Sequence, residues 1–143
     1  MDLKTTLIIG GRKGLNTTWQ LTKLIIPIYF AVTILKHTPF MPLIAKIFSP
    51  ILALMGLPGE AALAIVMGVF INIYAGIAVI LPLIPAAPLS VKQITILATV
   101  ILICHNILVE SAVSKKTGVS FWQMTLLRTA SAFAAGVILN WVI

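Results

Sequence analysis

The sequence predicts an all-α, polytopic membrane protein of four to five hydrophobic segments, one of them broken or re-entrant, with an N-terminal interfacial segment. Three observations predict it. First, 60% of the 143 residues are hydrophobic and only 9% charged, which leaves too little polar surface for a soluble domain of this size. Second, apolar runs recur at lengths near the roughly 20 residues that cross a hydrocarbon core. Third, the basic residues are scattered at the ends of those runs, as headgroup anchors and topology signals are.

Residues 1–20 mix apolar and basic positions with Gly10, Gly11 and Gly14, and Trp19 stands where an interfacial anchor would. The short run Leu7-Ile8-Ile9 has no cleavage site after it, so no signal peptide is expected. Residues 21–143 read as one transmembrane domain. Leu21 to Leu35 predicts a first membrane helix, kinked at Pro27 and closed by Lys36 and His37. Pro39 to Leu57 is nearly long enough to span but carries Pro42, Lys46 and Pro50. Proline interrupts the backbone ladder, and a charge at mid-membrane costs at least about 2.5 kcal/mol. A broken, re-entrant or interfacial element is therefore expected there.

After Gly56-Leu57-Pro58-Gly59, the stretch from Glu60 to Leu83 predicts a long apolar helix whose first turn holds a carboxylate, as the unpaired N–H groups of a helix start favour. Pro82, Pro85 and Pro88 make the next connection stiff. Ser90 is the expected N-cap of a helix from Val91 to about Ala112. A polar turn at Lys115 to Gly118 then leads into a last helix from about Ser120 to Ile143, with Phe121-Trp122 and Trp141 at its two ends.

Several stripes carry the candidate chemistry. On a continuous helix, Glu60, Ala64, Gly68, Asn72 and Gly76 form one slanting seam of small residues and an amide. Arg128, Ala132, Gly136 and Asn140 repeat the idea on the last helix. Gly68, Gly76, Ala132 and Gly136 are thus candidate helix-packing residues. On the Val91 helix, Thr95, Thr99, Asn106 and Glu110 share an arc of roughly 60°. Hydrocarbon offers no hydrogen bonds, so that face must meet protein, water or solute. The turn at Lys115 to Gly118 brings Asn106 and Arg128 to similar depth, and an arginine inside a membrane helix needs a partner, with Glu110 the first choice and Glu60 the second. Glu60, Asn72, Asn106, Glu110 and Arg128 are the candidate substrate-binding residues. Ordinary helix packing and a purely structural ion pair are the plainer readings of the same features.

Other chemistries are weaker. Cys104 and His105 are adjacent and so point to different faces of a helix, and His105 falls off the polar arc, so no metal site is expected within one chain and His105 reads as a buried, hydrogen-bonded residue. A single cysteine leaves no internal disulfide. The net charge of +7 comes without aromatic interleaving or a nucleic-acid motif, so nucleic acid is not an expected partner. No nucleophile and base set and no Gly-rich phosphate loop is present, so neither catalytic residues nor a cofactor are expected and the chain does not read as an enzyme.

The run GLPGEAALAIVMGVFINIYAGIAVI (56–80), followed by QITILATVILICHNILVESAVSKKTGVSFW (93–122), resembles the nucleoside-recognition, or Gate, family of membrane domains. The GLPGEAAL helix entry, the HNILVE helix end and the KKTG turn carry the resemblance. That family is similar to parts of concentrative nucleoside transporters, of the ferrous-iron transporter FeoB and of spore maturation proteins. The resemblance implies a transport or gating core, in which paired units line a solute path, without establishing that nucleosides bind. One unit implies pairing between chains, as a counterpart of the inverted repeats of larger transporters. If the Pro39 to Leu57 element does not cross, Lys4, Arg12, Lys13, Lys23 and Lys92 stand on one side against Lys36, Lys46, Lys115 and Lys116 on the other. Such a small bias permits an antiparallel, dual-topology homodimer. If the element does cross, Lys115 and Lys116 join the first side and orientation becomes fixed.

The leading expectation is a half-size secondary transporter in the cell membrane, multi-pass, acting as a homodimer on a polar or anionic small molecule. The alternatives are a non-transporting membrane scaffold or partner subunit, and passage of a metal ion.

Overall fold

A computed structural model of the chain describes residues 3–84 and 89–143, and the proline-rich connection read at Pro85 and Pro88 lies outside them. The described residues form seven helices: α1 (Leu3–Lys36), α2 (Phe40–Ala53), α3 (Ala61–Phe70), α4 (Ile73–Leu83), α5 (Val91–Cys104), α6 (Ile107–Lys116) and α7 (Phe121–Val142). The all-α expectation holds. Three stretches, Leu3–Leu35, Val91–Lys116 and Phe121–Val142, are long and apolar enough to cross a membrane.

Helix α1 runs without interruption through Gln20-Leu21 and through Pro27 for 34 residues, a length of about 51 Å. Its two halves differ in contact rather than in conformation. Residues 3–20 are exposed throughout, whereas Val32 is buried in the core. Helix α2, at 14 residues, is too short to span, in keeping with the reading of its two prolines and Lys46. It seats Met41 and Leu52 in the core.

The long helix expected from Glu60 to Leu83 is instead two helices of 10 and 11 residues packed against each other as a hairpin. Each is half the length a bilayer requires. The chain leaves α3 at Ile71 and re-enters helix at Asn72, whose extended backbone and side-chain oxygen, accepting from the Ala75 N–H at 2.9 Å, make it the N-cap of α4. Small residues permit the reversal. A side chain at Gly76 would meet Gly68 Cα at 3.1 Å and the Ala64 carbonyl at 3.2 Å. The small-residue seam therefore closes the hairpin on itself, and Gly68 also receives Ile101 of α5, whose Cγ2 stands 2.7 Å from where a Cβ would be.

Helix α5 starts with the expected N-cap, elaborated into a capping box between Ser90 and Gln93. The starts of α3 and α5 and the end of α7 gather at one end of the bundle: Gln93 Nε2 donates to the Gly56 carbonyl at 3.0 Å, Lys92 Nζ to the Asn140 carbonyl at 2.7 Å, and Asn140 Nδ2 to the Leu54 carbonyl at 3.3 Å. At the other end Gly118, with φ +94°, turns the chain into α7, where only glycine adopts such a backbone without strain. Ala132 and Gly136 are the buried residues of α7, with Gly136 against Met55 and Val100.

Candidate functional site

The segment Val91–Lys116 is apolar enough to span but is not one helix. It stops at Cys104 and resumes at Ile107, with His105 extended and Asn106 left-handed at φ 49°, ψ 39°. Asparagine tolerates that conformation better than most residues, although it costs other L-residues about 1–2 kcal/mol. The break frees carbonyls at the end of α5, which in lipid must find donors. Arg128 of α7 supplies them: Nε donates to the Ile103 carbonyl at 2.9 Å and Nη2 to the His105 carbonyl at 3.4 Å. His105 turns its own Nδ1 to the Leu102 carbonyl at 2.7 Å.

The guanidinium also donates through Nη1 to Glu110 Oε2. Glu110 stands in the first turn of α6, where the unpaired N–H groups carry partial positive charge, while Arg128 meets the partial negative end of α5. The two charges thus oppose the two dipole ends that the break creates. His105 completes the cluster, its Nε2 lying 3.2 Å from Glu110 Oε1. Arg128 is largely enclosed, at 12% side-chain exposure, whereas Glu110 (41%) and His105 (31%) are open on one side.

A second contact ties this break to the hairpin. The Asn106 N–H donates to the Gly68 carbonyl at 3.3 Å, so the inner end of α3 sits on the interruption in α5–α6. The half-buried Asn106 makes no side-chain cap hydrogen bond to α6. Around the cluster α7 presents Thr125, which donates to the fully buried Ser111 at 3.0 Å, and Thr129, 3.9 Å from the buried Cys104 sulfur.

Of the five residues singled out from the sequence, Glu110 and Arg128 meet directly, and Asn106 lies at the break beside them. Asn72 stands at the hairpin turn, one helical turn beyond Gly68, with its oxygen committed to the cap. Glu60 is at the base of the hairpin, about 12 Å along the α3 axis from Gly68, and it makes no ion pair among the described residues. The polar arc of a continuous helix does not survive the break: Thr95 and Thr99 return their hydroxyls to their own helix at 2.8 Å. His105, placed off that arc by helical geometry, is swung onto Glu110 by the same break. The left-handed tolerance of the asparagine that follows it was the only sequence signal for this.

Among the described residues no three His, Cys, Asp or Glu side chains converge as metal ligands. A shallow surface concavity of about 570 Å³, lined by Lys115, Val119, Phe121 and Trp122, lies at the α6–α7 turn and not at the cluster. Its exposed tryptophan and lysine suit a headgroup region.

Residues 18–120 match the family model described as nucleoside recognition (Gate). The chain is also 39% identical over 138 residues to the uncharacterized membrane protein YvoD of Bacillus subtilis (strain 168), covering 96% of this chain. It spans 43% of the length of that relative. No solved structure matches. The interrupted helices, the apolar stretches around them and the match over residues 18–120 agree: the chain is a membrane protein of the nucleoside-recognition (Gate) family.

Proposed function

We propose that this protein is a half-size secondary transporter of the cell membrane, multi-pass, working as a homodimer on a polar or anionic small molecule. The observation that carries the reading is the junction at Asn106, where the inner end of α3 is hydrogen-bonded to the break in α5–α6 beside the Arg128–Glu110 pair. Two discontinuous helices that meet within an apolar bundle create a place where backbone ends and charged groups face a common point, the arrangement by which transporters hold solutes near the bilayer midplane. The side-chain amide of Asn106 and the amide N–H₂ of Asn72 are the hydrogen-bonding groups left for a solute, and Arg128 favours a negative one. A second copy, antiparallel or parallel, completes the pathway.

The test is uptake by proteoliposomes of a panel of nucleosides and small organic anions. Asn106→Gly keeps the left-handed turn and removes only the amide, so uptake of the transported solute falls at least tenfold with the melting temperature unchanged. Uptake equal to wild type would remove the site from Asn106. The scaffold reading has one observation in its favour, the wholly exposed stretch 3–20 of α1. Under it, Glu110→Gln with Arg128→Gln leaves assembly intact while Gly136→Leu abolishes it.

A further inference from the structure

The α3–α4 hairpin decides at which end of the bundle each connection lies. Helix α5 begins where α3 begins, since Gln93 Nε2 donates to the Gly56 carbonyl. The chain between them therefore enters and leaves by one end, which Glu60 and Lys92 share. Helix α2, too short to span, rests Ala45 against Gly59 at that end and holds the close of α1 at Lys36 near it. From there α1, apolar between Leu21 and Leu35, runs to the opposite end, where residues 3–20 stand exposed. The segment Val91–Lys116 finishes at the opposite end too.

A hairpin that does not cross changes the charge balance. Lys4, Arg12, Lys13, Lys23, Lys115 and Lys116 gather at one end, against Lys36, Lys46 and Lys92 at the other. Lys92 is moreover committed to the Asn140 carbonyl. Of the three acidic residues, Glu60 belongs to the poorer end and Glu110 is paired with Arg128 inside the bundle, which leaves Asp2 alone in the segments of the basic end.

We infer that residues 3–23 of α1 and the α6–α7 turn form one basic surface on the cytoplasmic face of the membrane, and that it takes the headgroups of anionic phospholipid. All six cations are exposed. Leu3, Leu7, Leu15 and Trp19 are exposed among them, a mixture that suits the boundary between headgroups and acyl chains. Lys23 lies 5.0 Å over the Trp19 ring, and the concavity beside Lys115 is walled by Phe121 and Trp122, so each half of the surface pairs a cation with an interfacial ring. Basic residues accumulate on the cytoplasmic side, whose leaflet carries the anionic lipid that attracts them. The same bias gives the chain a single orientation, so a second copy would stand parallel. None of this requires that a solute be moved.

Two measurements test the surface. Thr5→Cys, Thr117→Cys and Ile143→Cys, each with Cys104→Ser, are exposed to a membrane-impermeant maleimide. The first two should react only in broken cells and the third in intact ones. Labelling of Thr5→Cys and Thr117→Cys from opposite sides, or of both from outside, overturns the inference. The second measurement uses the three tryptophans, Trp19 and Trp122 at the basic end and Trp141 at the other. In phosphatidylcholine nanodiscs holding a minor fraction of brominated lipid, brominated phosphatidylglycerol should quench Trp141→Phe about twofold more than brominated phosphatidylcholine does. The two lipids should quench Trp19→Phe with Trp122→Phe alike. Lys4, Arg12, Lys13, Lys115 and Lys116 changed together to Gln should erase the preference. Equal quenching in Trp141→Phe, or an equal preference at Trp141, overturns the lipid surface. So does loss of the preference to inorganic phosphate where sodium chloride of the same ionic strength spares it, since the surface would then hold a free anion.

Discussion

The two helix interruptions solve the same problem by different means. At Ile71-Asn72 the chain reverses, and the reversal is held by close apolar packing of Ala64, Gly68 and Gly76 and by one side-chain cap. At His105-Asn106 the segment continues beyond a left-handed residue, and the loose carbonyls are held by Arg128 and His105, with Glu110 paired to Arg128. Packing needs no exposed polar group, so the first interruption offers little beyond the amide of Asn72. Charge leaves residual valence, and the second is half open with a carboxylate and an imidazole on the open side. Chemistry collects where a membrane helix is broken and repaired by ions rather than by shape.

Removing the ionic repair should have the largest effect. Arg128→Ala leaves the Ile103 and His105 carbonyls and Glu110 without their donor, and a loss of about 3 kcal/mol is expected, chiefly from the two unpaired carbonyls, since the half-open Glu110 is screened by solvent. Resistance to denaturation in detergent micelles measures it. Adding Glu110→Gln to Arg128→Ala should restore only a small part of the loss, and full recovery would mean that the carboxylate matters more than the carbonyls.

Damage to the packed interruption should be next. Gly68→Leu drives a side chain into Ile101 and should cost about 1–3 kcal/mol, whereas Gly10→Leu, with nothing within 4 Å, should leave the melting temperature unchanged. Equal melting of both variants would sink the packing account of the hairpin. Smallest is the cap: Asn72→Ala should cost about 1 kcal/mol, and Asn72→Asp, which keeps the accepting oxygen, much less. The two interruptions differ in kind if Arg128→Ala is sensitive to added salt from the open side and Gly68→Leu is not.

Much of this was legible in the residues. The N-cap at Ser90, the turn ending at Gly118, the short α2 with its prolines and the partnership of Arg128 with Glu110 all follow from local chemistry or from the rule that a charge within a membrane seeks its opposite. The family resemblance, carried by the hairpin entry and the helix end around Asn106, agrees with the matched range 18–120. His105 escaped because its direction was computed on an unbroken helix.

What the sequence by itself determined is the solvent of this protein and the inventory of groups that such a solvent would force into company: apolar runs, small-residue seams, and an arginine that cannot stand alone. Where the helices break was decided only by tertiary structure. Neither Phe70-Ile71-Asn72 nor Cys104-His105-Asn106 contains a proline or glycine, and both lie in stretches apolar enough to continue as helix. The breaks persist because their partners come from afar in the chain, Gly68 accepting from Asn106 and Arg128 from α7 closing the end of α5. A local pattern cannot register a hydrogen bond whose other half arrives from another helix.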